Sequence, residues 1–147
     1  METVRVVVHI DAPVERVFTA VSDHERFLTG DDTTVTILRP GDFDRNGLGC
    51  VREVRVGRRA RYVEEITAWQ PPSFFEYTIR ETSLPLRHHG SHITLEAWGE
   101  GTDVAWTAQF EVTVPVVGGL LASRVSRRLT TAFTSRLLAT KTVLESP

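Results

Sequence analysis

Three of the chain's five histidines fall inside one short run, RHHGSHITLEAW at 87–98. Imidazoles at that density raise two chemistries, a bound metal ion or a proton moved near neutral pH. The residues that follow, ITLEAW, are strand formers, and Gly90 weakens a helix, so the run reads as a strand. A strand alternates faces, which sends His88 and His92 one way and His89 the other. Four strand residues span about 13 Å, whereas zinc holds its ligand nitrogens at about 2.0–2.1 Å. The three cannot converge on one ion, and no metal is expected. His89 shares its face with Ser91, Ile93, Leu95 and Ala97. It is either a strand-end histidine at a rim or a donor and proton shuttle to something bound there. A bulge at Gly90 would exchange His88 for His89.

A second candidate spans CVREVRVGRRARYVEEI (50–66), two strands joined by GRR. With the turn centred near residue 58, Arg52 lies opposite Glu64 and Val54 opposite Tyr62. If that face is inward the two charges must satisfy each other, because an unpaired buried charge is very costly. If it is outward, the pair is an ordinary exposed cross-strand contact of little energetic weight. The shared face with Val54 and Ile66 favours the inward reading.

The elements that must position these groups follow from periodicity. VRVVVHI (4–10) alternates as a strand, and DAP ends it with Pro13 at the start of a helix. Val14, Val17, Phe18 and Val21 form one face of that helix. A second short helical piece covers about 23–28. TTVTIL (33–38) is a strand and PGDFDRNGLG (40–49) a turn-rich connection. Strands then follow at 50–56, 60–69, 74–81, 88–98 and 102–114, with short turn-forming linkers that suit antiparallel hairpins. On 102–114, Val104, Trp106, Ala108, Phe110 and Val112 share the buried face. Tyr77 shares a face with Phe75 and Ile79, and its hydroxyl needs a partner if buried. After PVVGG, apolar residues at 121, 125, 129, 133, 137 and 144 mark a long amphipathic helix, roughly 118 to 145. Arg124, Arg127, Arg128 and Arg136 lie largely off that stripe, a pattern shared by membrane-surface helices and, more commonly, by solvated ones. The fold expected is α+β: about seven antiparallel strands curved around one long C-terminal helix, with two short helices after strand 1. Residues 1–147 read as one domain.

At 147 residues with a formal net charge of −2, the chain is sized for one core and lacks the basic balance of a general nucleic-acid binder. No apolar run approaches the roughly 20 residues that span a bilayer. Its one cysteine, Cys50, excludes an internal disulfide and a thiolate zinc site. No signal peptide is visible, so a cytoplasmic location is expected. GLG (47–49) and GEG (99–101) fit turns and not a dinucleotide fingerprint, since no βαβ unit surrounds them.

The order of elements, together with IDAPVERVFTAVSD (10–23), GLG (47–49), EEITAWQPPSFFEY (64–77), GEGTDVAWTAQFEV (99–112) and the terminal helix, resembles the SRPBCC superfamily, the START or birch-pollen-allergen-like helix-grip fold. Within it the chain is most similar to the polyketide cyclase/dehydrase and lipid-transport group. One departure stands out: FLTGDDTT (27–34) occupies the place where the family commonly has a proline–tryptophan pair. The resemblance implies a cavity between sheet and long helix for an apolar or aromatic small molecule, of polyketide, lipid or quinone type. On that footing Arg52, Tyr62, Glu64, Tyr77, His89, Ser91, Trp106, Phe110, Leu129 and Phe133 are candidate ligand contacts, and Arg52 and Glu64 a polar floor that could grip a carbonyl or phenol. The expected function is binding without a cofactor. The alternative is a cofactor-free cyclase or dehydratase in which Arg52 polarises a carbonyl and Glu64 or His89 moves the proton. Membrane contact through the arginine-rich helix is a third option, and the sequence leaves the oligomeric state open.

Overall fold

The computed structural model describes residues 1–114 and 118–147; the PVV of the PVVGG segment lies outside them. Strand β1 (Glu2–Ile10) is followed by α1 (Val14–Val21), α2 (His24–Leu28), β2 (Thr33–Arg39), β3 (Val51–Val56), β4 (Ala60–Gln70), β5 (Phe74–Thr82), β6 (Leu86–Trp98), β7 (Gly101–Val112) and α3 (Gly118–Glu145). The seven strands form one sheet in the order β1-β7-β6-β5-β4-β3-β2, every neighbouring pair antiparallel. This is the architecture expected from the periodicity, with seven strands, two short helices and a long terminal helix. Pro13 is the residue before α1 instead of its first helical residue.

One face of the sheet holds the core. Val4, Val6 and Ile10 of β1, Phe75 and Tyr77 of β5, Ile93 and Leu95 of β6, and Val104, Trp106, Ala108 and Phe110 of β7 are all buried there. Helix α1 closes one end through Val17, Phe18 and Val21, and α2 contributes Phe27 and Leu28. Helix α3 packs along β1 and β7 and against α1 and α2. Its Ala122, Phe133 and Leu137 are buried and Val125 and Leu129 half-buried, whereas Arg124, Arg127 and Arg128 are exposed. Arg136 has a task of its own: its Nη1 donates to the carbonyl of Thr29 at 2.5 Å, tying α3 to the α2–β2 link. Over β2 to β4 the inner-face residues Val35, Ile37, Val56 and Tyr62 remain only half-buried.

Two local features bear on chemistry. The connection 40–49 folds on itself through Gly41 N to Arg45 O (3.0 Å), Asp42 N to Leu48 O (2.9 Å) and Gly47 N to Asp44 O (2.9 Å). A Cβ at Gly41 would lie 2.2 Å from the Asp44 carbonyl oxygen, so only glycine fits that crossing. The other feature is a bulge in β6: the register with β7 shifts between His88 and Gly90, and Gly90 sits at φ +126°, a left-handed conformation that glycine supplies at little cost.

Candidate functional site

The register of β3 and β4 places Arg52 opposite Glu64 and Val54 opposite Tyr62. The pair faces inward: Arg52 is 2% exposed and Glu64 7%. Arg52 Nε donates to Glu64 Oε1 at 2.8 Å. Its Nη1 donates to Nδ1 of His24 at 2.8 Å, and the other ring nitrogen of His24 donates to the carbonyl of Asn46 at 2.8 Å. Arginine only donates, so Nδ1 of His24 must accept and the ring is held neutral with its proton on Nε2. Burial, then the positive charge of Arg52, keep this imidazole well below the usual histidine pKa. The folded 40–49 loop supplies the Asn46 carbonyl, and α2 supplies His24, which shares its face with Phe27 and Leu28.

Arg52 also lies over the ring of Tyr77, its guanidinium carbon 4.4 Å from the centroid, a cation–π contact strengthened by desolvation. Trp106 Nε1 donates to the Tyr77 hydroxyl at 3.0 Å. Burial, then the Glu64 charge, push this phenol up to about 12 against the opposing pull of Arg52 and of hydrogen bonds from Ser91 and Trp106. Tyr62, directly beyond Glu64 on the same face, is also raised to about 12, by burial and then by Glu64. Both phenols are therefore neutral.

The bulge decides the histidines. It turns His88 inward, onto the face of Ser91, and sends His89 outward, where its Nε2 lies 3.4 Å from Glu111. The inward assignment of His89 is corrected to His88, and His88 and His92 no longer share a face. His88 stacks on Tyr77 with centroids 6.0 Å apart and planes 15° from parallel. Its Nδ1 accepts the backbone N–H of Ile79 at 3.1 Å, so Nε2 carries the proton and donates to Ser91 Oγ at 2.6 Å. Burial first, and the neighbouring His89, hold His88 down at about 4. The imidazole thereby replaces strand pairing: β5 and β6 are in register only from Phe74–Thr94 to Tyr77–Ser91 and then diverge.

At that divergence lies a cleft of about 290 Å³ lined by Ile79, Arg80, Glu81, Thr82, Leu86, Arg87, His88 and Thr113. It adjoins the polar cluster at three points. Ile79 is the cross-strand partner of Glu64, Thr82 that of Tyr62, and His88 stacks on Tyr77. A larger hollow of about 840 Å³ lies elsewhere, at the β1–α1 junction and the β6–β7 turn. Beneath the middle of α3 the expected open space is occupied. Trp106 stacks face to face on Phe133 at 3.7 Å and 4°, and Phe27 lies 5.4 Å from Trp106. Trp106, Phe110 and Phe133 are buried core, and Leu129 is half-buried on the same helix face. The cleft at the β5–β6 divergence lies apart from this packed interface. Among the described residues, no group of three or more His, Cys, Asp or Glu side chains is arranged to hold a metal.

Of the sequence-derived candidates, Arg52, Tyr62, Glu64, Tyr77 and Ser91 come together, whereas His89 does not join them. His24 is absent from the sequence-derived set, and His88 enters it only as the exchange that a bulge at Gly90 brings. The signal for His24 was available, since HERFL places it on the helix face carrying Phe27 and Leu28.

Residues 1–145 match the family model described as polyketide cyclase/dehydrase and lipid transport. Among curated proteins none matches. Among solved structures, TTHA0849 from Thermus thermophilus is similar at 24% identity and TM-score 0.77, covering 95% of this chain and 94% of that one. A START superfamily protein from Mycobacterium smegmatis is 15% identical with TM-score 0.74, covering 97% of each chain. Ara h 8.0201 is 17% identical with TM-score 0.61, covering 94% of this chain and 98% of that one.

Proposed function

The chain belongs to the polyketide cyclase/dehydrase and lipid transport family over residues 1–145, and from that premise we propose that it binds an apolar or aromatic small molecule in the cleft at the β5–β6 divergence, one polar end of the ligand reaching the Arg52–Glu64 pair. The fold is one that carries hydrophobic ligands in this family, but fold alone does not assign a ligand. The observation that supports the reading is a buried charged pair beside a cleft: neither Arg52 nor Glu64 lines it, but its lining residue Ile79 is the cross-strand partner of Glu64. Burying an arginine for structure alone is costly, and a hydrophobic pair of similar volume is often as stable. A volume of about 290 Å³ lies near the lower end of small-molecule sites, roughly 300–1,000 Å³.

Binding stands ahead of catalysis because the imidazoles are committed. Both nitrogens of His24 and both of His88 are hydrogen-bonded, and His89 faces outward. A cofactor-free cyclase would have to move its proton through the second oxygen of Glu64. Among the described residues, no helix is long and apolar enough to cross a membrane.

Native mass spectrometry of freshly purified protein, followed by calorimetric titration with 2-naphthol, tests the reading. The expected result is saturable binding that weakens at least tenfold when Ile79→Trp fills the cleft. Absence of saturable binding, or equal binding by a folded Ile79→Trp variant, would overturn it.

A further inference from the structure

The charge balance of the cluster selects among ligands. Arg52 carries the cluster's positive charge and Glu64 its negative one, 2.8 Å apart and both buried. The connectivity already derived holds His24 and His88 neutral, and the phenols of Tyr62 and Tyr77 keep their protons. The charged groups at the cleft rim are paired as well: Arg80 with Glu65, Glu81 with Arg61 at 3.3 Å, and Arg87 with Glu111 at 4.0 Å. A ligand arriving at Glu64 therefore meets no net positive charge.

Hydrogen-bonding capacity is left over on both partners. Arg52 uses Nε and Nη1 on Glu64 and His24, and Glu64 uses Oε1 on Arg52. Among the described residues, Arg52 Nη2 and Glu64 Oε2 have no hydrogen-bond partner. One is a donor only and the other, when ionised, an acceptor only. A group that both accepts and donates through one oxygen complements this set. A carboxylate cannot donate to Glu64, and it would place a second negative charge beside a buried one, where screening is weak.

Resting on the binding proposal, we infer that the site takes a neutral hydroxyl-type oxygen, a phenol or the enol of a ketone, on an apolar ring system, and discriminates against a free carboxylate. On that reading Glu64 Oε2 accepts from the ligand's hydroxyl and Arg52 Nη2 donates to it, so the ligand's proton is part of what is recognised.

Two probes with the same rings, 2-naphthol and 2-naphthoate, test this by calorimetry near pH 7, where a phenol is neutral and a carboxylic acid ionised. Wild type is expected to bind the naphthol at least tenfold tighter. Glu64→Gln removes the negative charge, so the preference should shift toward naphthoate by tenfold or more. Should that variant not fold, wild type alone suffices. Naphthoate affinity should rise nearly tenfold for each unit of pH lowered, because the acid enters with a proton, while naphthol affinity stays flat. Naphthoate bound as tightly as naphthol, with no pH dependence, would overturn the inference and leave the binding proposal standing. Failure of both probes to bind would overturn the binding proposal and this inference with it.

Discussion

Two clusters in this molecule are built from the same parts and behave oppositely. In the interior, His24 lies between Arg52 and a backbone carbonyl, with Glu64 on the far side of the arginine. On the surface, His9 donates to Asp103 at 2.7 Å and to Asp11 at 2.9 Å, while Lys141 bonds the His9 carbonyl at 2.7 Å and Glu145 accepts from the Asp11 backbone at 2.8 Å. A neutral imidazole has one N–H, so two carboxylates at once favour the charged ring. The hydrogen bond to Asp103, opposed by modest desolvation, accordingly raises His9 above the usual value. The inner histidine is held neutral and lowered. The surface cluster fastens the end of α3 to β1, and Gly101 leaves room for it, since a Cβ there would lie 2.6 Å from the His9 ring. The buried cluster joins α2 and the 40–49 loop to β3 and β4, but a buried ion pair is often no more stabilising than an apolar pair of similar volume, which favours a role beyond stability.

The sharpest way to break this contrast is Arg52→Met. It strands Glu64 and leaves Nδ1 of His24 without its donor, and should cost on the order of 3–5 kcal/mol in urea unfolding. Adding Glu64→Gln should recover much of that loss. A cost below about 1 kcal/mol is what an exposed pair gives, and would show that the pair is not buried in solution.

The next effect is in pH dependence. For His24 and His88 the folded value lies below the unfolded value of 6.5, with His88 near 4. The unfolded chain binds protons that the folded chain refuses, so their stabilisation is complete above the unfolded value and declines as pH falls below it. Urea midpoints should drop between pH 7 and pH 5 by more than in His24→Gln or His88→Gln. Equal slopes in all three proteins would contradict the neutral assignment.

His9 has the reverse sign. Its folded value is raised, so its contribution is present below the unfolded value of 6.5 and fades as pH rises through the folded value. His9→Gln should lower the melting temperature slightly at pH 6, and the difference should shrink in high salt because the group is solvent-screened. A salt-independent loss would mean the surface cluster is a buried-type network after all. Smallest of all, a strong chelator should leave the melting temperature unchanged. A stoichiometric metal in the purified protein would refute the strand geometry that separates His88, His89 and His92.

The amino-acid sequence by itself determined the order of elements, because period-two and period-3.6 patterns are local and each element buries one face. It also determined the pairing of Arg52 with Glu64, since the short GRR turn sets the hairpin register and parity then fixes which residues are opposite. It could not decide which of His88 and His89 turns inward, because the bulge at Gly90 is defined against β7, a separate strand whose register the run 87–98 does not contain. Nor could it bring His24 to Arg52: that contact joins positions 28 residues apart, through a helix placed by Phe27 and Leu28 and a loop carbonyl aimed by Asn46. The location of the open space was likewise a tertiary outcome. Trp106 and Phe133 each read as lining from sequence, and only their meeting at 3.7 Å closed the middle of the helix–sheet interface. The smaller of the two hollows described lies where β5 and β6 part, a place set by strand pairing across the whole sheet.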